Sequence, residues 1–404
     1  MKSIGLFWTE RQVNKRKCDP CPYNNNQESI ESGSSSQTNS KDSFDLQINL
    51  WNSNIRNTTT GKVSRFMAID FGVVCPLSTK KLVFLFPFEV KYDDFHDLVK
   101  CLSLDTDLLC TVFNEDLKST SEPAKSYHTI DGNRSGIHYL MYELSNENIE
   151  ELKYDSRSNL TQLTIVINSN FDIDKYKIYS LFLRFRIKLK SLDFFAKKKE
   201  VSNDWLQSAF SSTYMFDIRL NDVRELSKKR KEFVEHQGFH LPTFNKVHFF
   251  YMADSEENVV NGSTIGLDKR LLENDRWHSY LGDNLEFVSE NIAHHWKKKK
   301  EVKLSLKEVV GDKQKTSFSA EQKVIPVDTF TIFFKTEFSD FRLYRVIWYL
   351  LGIVVLGVIS SSLVSLISSL ISNNFHCDWL VWLCITILLS SIVYMLIHKA
   401  SSKR

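Results

Sequence analysis

The sequence predicts a β-rich or α+β cytosolic region, mainly antiparallel sheets with few short helices, followed by a C-terminal two-helix transmembrane hairpin. Three observations carry this expectation. Apolar and polar residues alternate with period two over much of residues 46 to 343. Glycine (13) and proline (7) are scarce among 404 residues while phenylalanine (29) is abundant, which disfavours glycine-rich phosphate loops and doubly wound nucleotide folds and favours strands. Two runs near the C-terminus, 346–371 and 379–397, contain no charged side chain.

In chain order, residues 1–45 form an N-terminal segment. Its first residues, "MKSIGLFWTERQVNKRK", hold an apolar core too short for a signal peptide, and residues 24–43 are polar, low in complexity and expected to be disordered. Residues 46–200 are expected to form a β-rich domain, with strands over 63–75, 82–90, 137–145, 161–168 and 181–190 and a helix over 93–103. A boundary near 200 introduces a second, α+β subdomain over 201–343. Its expected strands are 214–220, 246–252, 301–310 and 328–338, and its expected helices 222–236, 268–281 and 285–296. The hairpin occupies 344–398, and a basic tail 399–404.

The clearest strand is "LFLRFRIKLK". Leu181, Leu183, Phe185, Ile187 and Leu189 fall on one face and Arg184, Arg186, Lys188 and Lys190 on the other. The four cations are expected to point outward, either as a solvated face or as a site for a small anionic, nucleotide-like ligand or lipid headgroups. Further basic clusters lie at 228–231 and 297–300. The overall balance, Lys+Arg 52 against Asp+Glu 49, gives no reason to expect nucleic acid as a partner.

The two apolar runs match the roughly 20 residues that cross a ~30 Å hydrocarbon core. Only residues 372–378 separate them, so they must be antiparallel. Cations flank the pair (Lys335, Arg342 and Arg345 before; Lys399, Lys403 and Arg404 after) and the turn carries no Lys or Arg. Both termini and the large region are therefore expected in the cytoplasm. Seven irregularly spaced cysteines agree, because they form no disulfide framework. Gly357, Ser361, Ser365 and Ser369 recur every four residues in the first run, as do Thr386 and Ser390 in the second. Small residues at this spacing let helices approach closely in lipid. The stripe packs the two helices of one chain, or helices of neighbouring chains in a homo-oligomer.

Motifs of chemistry are sparse. Cys18 and Cys21 have half the spacing of a zinc site and lack a second pair. Glu232, His236 and His240 recur at intervals of four but are interrupted by Gly238; His294 and His295, being adjacent, are expected on different faces and as polar surface, and Asp70 in "AIDFG" at an ordinary strand end. No catalytic, metal or cofactor motif emerges, so an enzyme is not expected.

In architecture, a cytosolic β-rich domain followed by a two-helix hairpin resembles the membrane effectors of bacterial antiviral defence. The resemblance transfers no residue. It implies a signal-gated, membrane-disrupting or pore-forming protein of the bacterial inner membrane, whose soluble part binds a ligand or partner protein. The alternative expectation is a tail-anchored scaffold that recruits a partner protein to the bilayer.

Overall fold

A computed structural model describes residues 3–11, 43–121, 126–132, 138–168, 180–199, 211–282, 284–309, 317–339 and 343–371, together with Leu383, Thr386 and Ser390. Residues 24–42 of the expected disordered stretch and the Cys18/Cys21 pair lie outside them, as does most of 379–397, whereas Ser43 begins a strand.

The first half contributes β1 (Gly5–Glu10), β2 (Ser43–Asn57), β3 (Val63–Pro76), β4 (Thr79–Phe86), β5 (Phe95–Asp97), β6 (Leu117–Ser121), β7 (Tyr127–Gly132), β8 (His138–Tyr142), β9 (Ile149–Asp155), β10 (Leu160–Val166) and β11 (Ser180–Lys188). The second adds β12 (Ala196–Lys198), β13 (Ser211–Leu220), β14 (Thr243–Asp254), β15 (Asn258–Asn261), β16 (Leu267–Leu272), β17 (Leu285–Phe287), β18 (Asn291–Lys299), β19 (Glu301–Val309), β20 (Ser317–Ile325) and β21 (Phe330–Ser339). The helices are α1 (Val99–Leu104), α2 (Thr106–Phe113), α3 (Val223–Lys231), α4 (Asn274–Leu281) and α5 (Leu343–Ile371). The protein is β-rich, mainly antiparallel, with few helices.

A large sheet runs β16-β18-β14-β2-β3-β11-β8-β7-β6, with β17 added beside β2 and β5 beside β11. Two of its pairings, β2 with β14 and β8 with β11, are parallel. One face carries Phe44, Ile48, Phe71, Val73, Leu183 and Phe249, and packs against the sheets β1-β4-β10-β9 and β12-β13-β21-β15. The opposite face carries Trp51, Ala68, Val74 and Phe182 and packs against α1, α2 and α4. Period-two alternation thus feeds two cores rather than one core and a solvent face.

Several expectations change. The stretches 46–200 and 201–343 share this sheet, since β14 pairs with β2 over ten residue pairs; residues 1–198 and 214–336 form one compact unit, and 199–213 with 337–404 another. Residues 285–296 are strand rather than helix, and 268–281 divide into a strand and the shorter α4. Their pairing with β14 and β2 outweighs a weak helical period. The helix expected over 93–103 is a single 3-10 turn, then β5, then α1.

In the second unit α5 is a continuous helix of 29 residues. Among the described residues no helix is long and apolar enough to cross a membrane. The described side chains of α5 run without a break only from 350 to 366.

Candidate functional site

The helix-covered face of the large sheet holds a network of charges that the alternating pattern put there. Arg184 and Arg186, expected in solvent, are 1% and 3% exposed. The correction has a physical cause: the Tyr280 ring of α4 lies over both guanidinium groups, and Trp51 and Phe66 also flank that of Arg186, which removes both from water. Lys188 and Lys190, beyond the reach of the helix, are exposed. The four cations therefore do not form one site.

Asp70 answers Arg186 across the β3–β11 pair, where the two residues are directly opposite. Arg186 Nε donates to Asp70 Oδ1 at 2.7 Å and Nη2 donates to Oδ2 at 3.0 Å, a bidentate pair. Trp51 Nε1 and the Tyr280 hydroxyl also donate to Oδ2, at 2.6 and 2.9 Å. Arg186 Nη1 donates to the Tyr280 carbonyl, and its guanidinium lies 4.8 Å from the Tyr280 ring centroid and 5.1 Å from that of Phe66. Burial opposes the charge on Arg186, yet the Asp70 carboxylate holds its pKa above the ordinary value. Burial pushes the Tyr280 hydroxyl up, keeping it protonated as a donor.

Arg184 sits one row along and differs in its partners. Its Nε donates to the Tyr280 hydroxyl at 2.7 Å and its Nη1 to Gln47 Oε1 at 3.0 Å. Both partners are neutral, and among the described residues no carboxylate pairs with it. Gly72 makes this reach possible: a Cβ there would come within 3.0 Å of Arg184 Nη1 and 3.4 Å of the Gln47 side chain.

Beyond Gln47 the same face is half open. Residues directly opposite run Arg184–Gly72–Gln47–His248–Lys297, and the next row Arg186–Asp70–Asn49–Phe250–His295. Three near-parallel rings meet there. His295 stacks on Phe250 at 4.2 Å and on His248 at 5.1 Å, and His248 Nδ1 and His295 Nε2 share a hydrogen bond of 3.0 Å. All three are half-buried, with Lys297 and Lys299 exposed beside them. Burial first, then His295 and the surrounding lysines, push His248 down to about 3. Lys297 is also lowered, by partial burial and by Lys299 and Lys246. Among the described residues, the acids on this face include Asp70, committed to Arg186, Asp45, which pairs with Lys246 at 3.1 Å, and exposed Asp268 opposite His295.

His294 lies on the opposite face from His295, as expected, but is 1% exposed rather than polar surface, and burial pushes it down to about 4. That second core also encloses Glu257, which accepts from the Tyr251 hydroxyl at 2.6 Å and approaches Arg65 at 3.5 Å. Burial raises Glu257 to about 7. Among the described residues no three His, Cys, Asp or Glu side chains are placed to hold a metal. A surface cleft of about 700 Å3 lies elsewhere, at the ends of β1 and β4; Lys81 in its wall is already paired with Glu150.

On α5, Gly357, Ser361 and Ser365 are exposed; the Ser369 side chain lies outside the described set. Thr386 and Ser390 hydroxyls donate to the carbonyls of Leu383 and Thr386, within their own helical turns.

Sequence reasoning missed Gln47, His248, Phe250 and Tyr280. A usable signal existed in "KVHFFYM": period two there sets Lys246, His248 and Phe250 on one side, as it sets His295, Lys297 and Lys299 once 291–299 is read as strand. The chain matches no protein-family model and no curated protein.

Proposed function

We propose that this chain is a non-enzymatic, signal-gated membrane effector. The β-rich unit takes up an anionic ligand or a partner, and occupancy biases the assembly of a two-helix hairpin over 346–371 and 379–397 within the bilayer. One observation carries the reading. Leu350, Val354, Leu356, Leu363 and Val364 of α5 are all exposed, with Val354 at 64% and Val364 at 66%. Apolar residues occupy every side of this helix, so no single neighbouring surface could cover it. At ~1.5 Å per residue its length suits a tilted span, and surrounding lipid removes the cost of that apolar surface.

Two further features support the proposal. Exposure of Gly357, Ser361 and Ser365 leaves the small-residue stripe open to helices of other copies. Only residues 340–342 separate β21 from α5, so the sheet strand and the helix lack a long linker. The test is dye leakage and crosslinked assembly in cells expressing the full chain. Ser361→Leu with Ser365→Leu is expected to abolish both. Leakage and assembly unchanged by that double substitution defeat the gating mechanism. Function preserved when 344–398 is exchanged for an unrelated hairpin supports the scaffold reading instead.

A further inference from the structure

The uncompensated guanidinium of Arg184 sets the direction. A buried cation is ordinarily accompanied by a carboxylate, because desolvating a charge is costly unless it is paired. Arg186 has that partner in Asp70, whereas Arg184, equally buried, donates among the described residues to the neutral Tyr280 hydroxyl and Gln47 carbonyl oxygen. Its Nη1 passes over Gly72 toward the open half of the face. Strands lie ~4.8 Å apart, so His248 stands one spacing beyond Gln47 and Lys297 one further. When His295 Nε2 donates to His248 Nδ1, the His248 proton sits on Nε2, a second neutral donor in that row. The Gln47 amide nitrogen is a third. Among the described residues positive charge exceeds negative here: Arg184, Lys297 and Lys299 stand beside exposed Asp268, since Asp45 is engaged by Lys246 and Asp70 by Arg186.

We propose that this half-open face binds a small molecule in which a phosphate is joined to a planar heteroaromatic ring, a nucleotide-class ligand. The phosphate lies between Gln47, His248 and Lys297, with the buried charge of Arg184 behind Gln47, and the ring extends the stack formed by His295 and Phe250. Charge complementarity selects the anion, and three near-parallel half-exposed rings select a flat π-surface, since nucleobases stack favourably on aromatic side chains. The inference rests on reading the β-rich unit as the ligand-receiving part. It departs from the sequence expectation in its residues: Lys188 and Lys190 play no part, and Arg186 is committed to Asp70.

The full chain in detergent micelles is titrated calorimetrically with AMP and GMP, and separately with adenosine, inorganic phosphate and a single-stranded RNA 12-mer. At least one mononucleotide is expected to bind about tenfold or more tightly than adenosine or phosphate, a difference of roughly 1.4 kcal/mol. Lys297→Glu, at an exposed position, is expected to weaken binding about tenfold, and His295→Ala to weaken the mononucleotide but not phosphate. Circular dichroism of both variants guards against misfolding, and Arg184→Lys gives a third reading if either fails to fold. No mononucleotide binding overturns the proposal. Phosphate binding as tightly as AMP overturns the ring subsite, and tighter binding of the RNA overturns a small ligand in favour of a polyanion surface. Mononucleotide binding without any leakage would spare this inference and defeat the gating mechanism; leakage without mononucleotide binding would do the reverse.

Discussion

Arg186 and Arg184 stand two residues apart on one strand, on one face, under one helix, and the molecule treats them differently. Arg186 is closed into a network with Asp70, Trp51 and Tyr280 in which every strong donor has an acceptor. Arg184 shares the Tyr280 hydroxyl but has no carboxylate of its own. A buried ion pair of the first kind mainly specifies which helix covers which strand, because breaking it strands a charge. A buried cation of the second kind contributes little to folding, and its field reaches the half-open surface beside it.

The largest expected effect comes from breaking the closed half. Asp70→Ala leaves the buried Arg186 guanidinium without its counter-charge and should destabilise the β-rich unit by about 3–5 kcal/mol in denaturant unfolding. Arg184→Met in the same experiment should cost about 1 kcal/mol or less, because removing an unpaired charge offsets two lost hydrogen bonds. Equal losses from the two substitutions would erase the distinction drawn between them. Gly72→Ala comes next, at about 1–3 kcal/mol, since its Cβ would drive Arg184 Nη1 from Gln47. Weakened mononucleotide binding should accompany it.

Two sets of buried groups also respond oppositely to pH. Glu257 and Asp97, each raised to about 7 by burial, bind protons more readily folded than unfolded. Their contribution is full below their ordinary values and is lost as pH rises through about 7. His248, lowered to about 3 mainly by burial, contributes above its ordinary value near 6.5 and loses that contribution as pH falls toward 3. Unfolding midpoints across pH 3–8 should show both flanks. Glu257→Gln should flatten the upper one and His248→Phe the lower. The smallest effect belongs to Lys188→Ala: at an exposed site it should stay within about 0.5 kcal/mol and leave AMP binding unchanged.

The strands that alternate strictly were legible. Residues 181–190 and 63–75 match β11 and β3 closely, and 214–220 lie within β13. Strand β2 was not, although it is central and 15 residues long. Its Gln47, Asn49, Asn52 and Ser53 read as loop chemistry, yet Asn52 is buried because the Tyr251 hydroxyl and Arg65 occupy its amide. The site was less legible still. Nothing local to "LFLRFRIKLK" reveals that Tyr280, some ninety positions later, covers two of its four cations.

By itself the sequence determined which residues share a strand face and that two charge-free runs lie near the C-terminus, because side-chain alternation and the absence of charge are local properties of the chain. Only the tertiary structure decided which of those faces meets water. Covering a face takes a second element, and α4 lies far from β11 along the chain and reaches it only through the fold. The same arginine spacing could have formed a solvated ladder; the helix above it made one cation half of a closed ion pair and left the other without one.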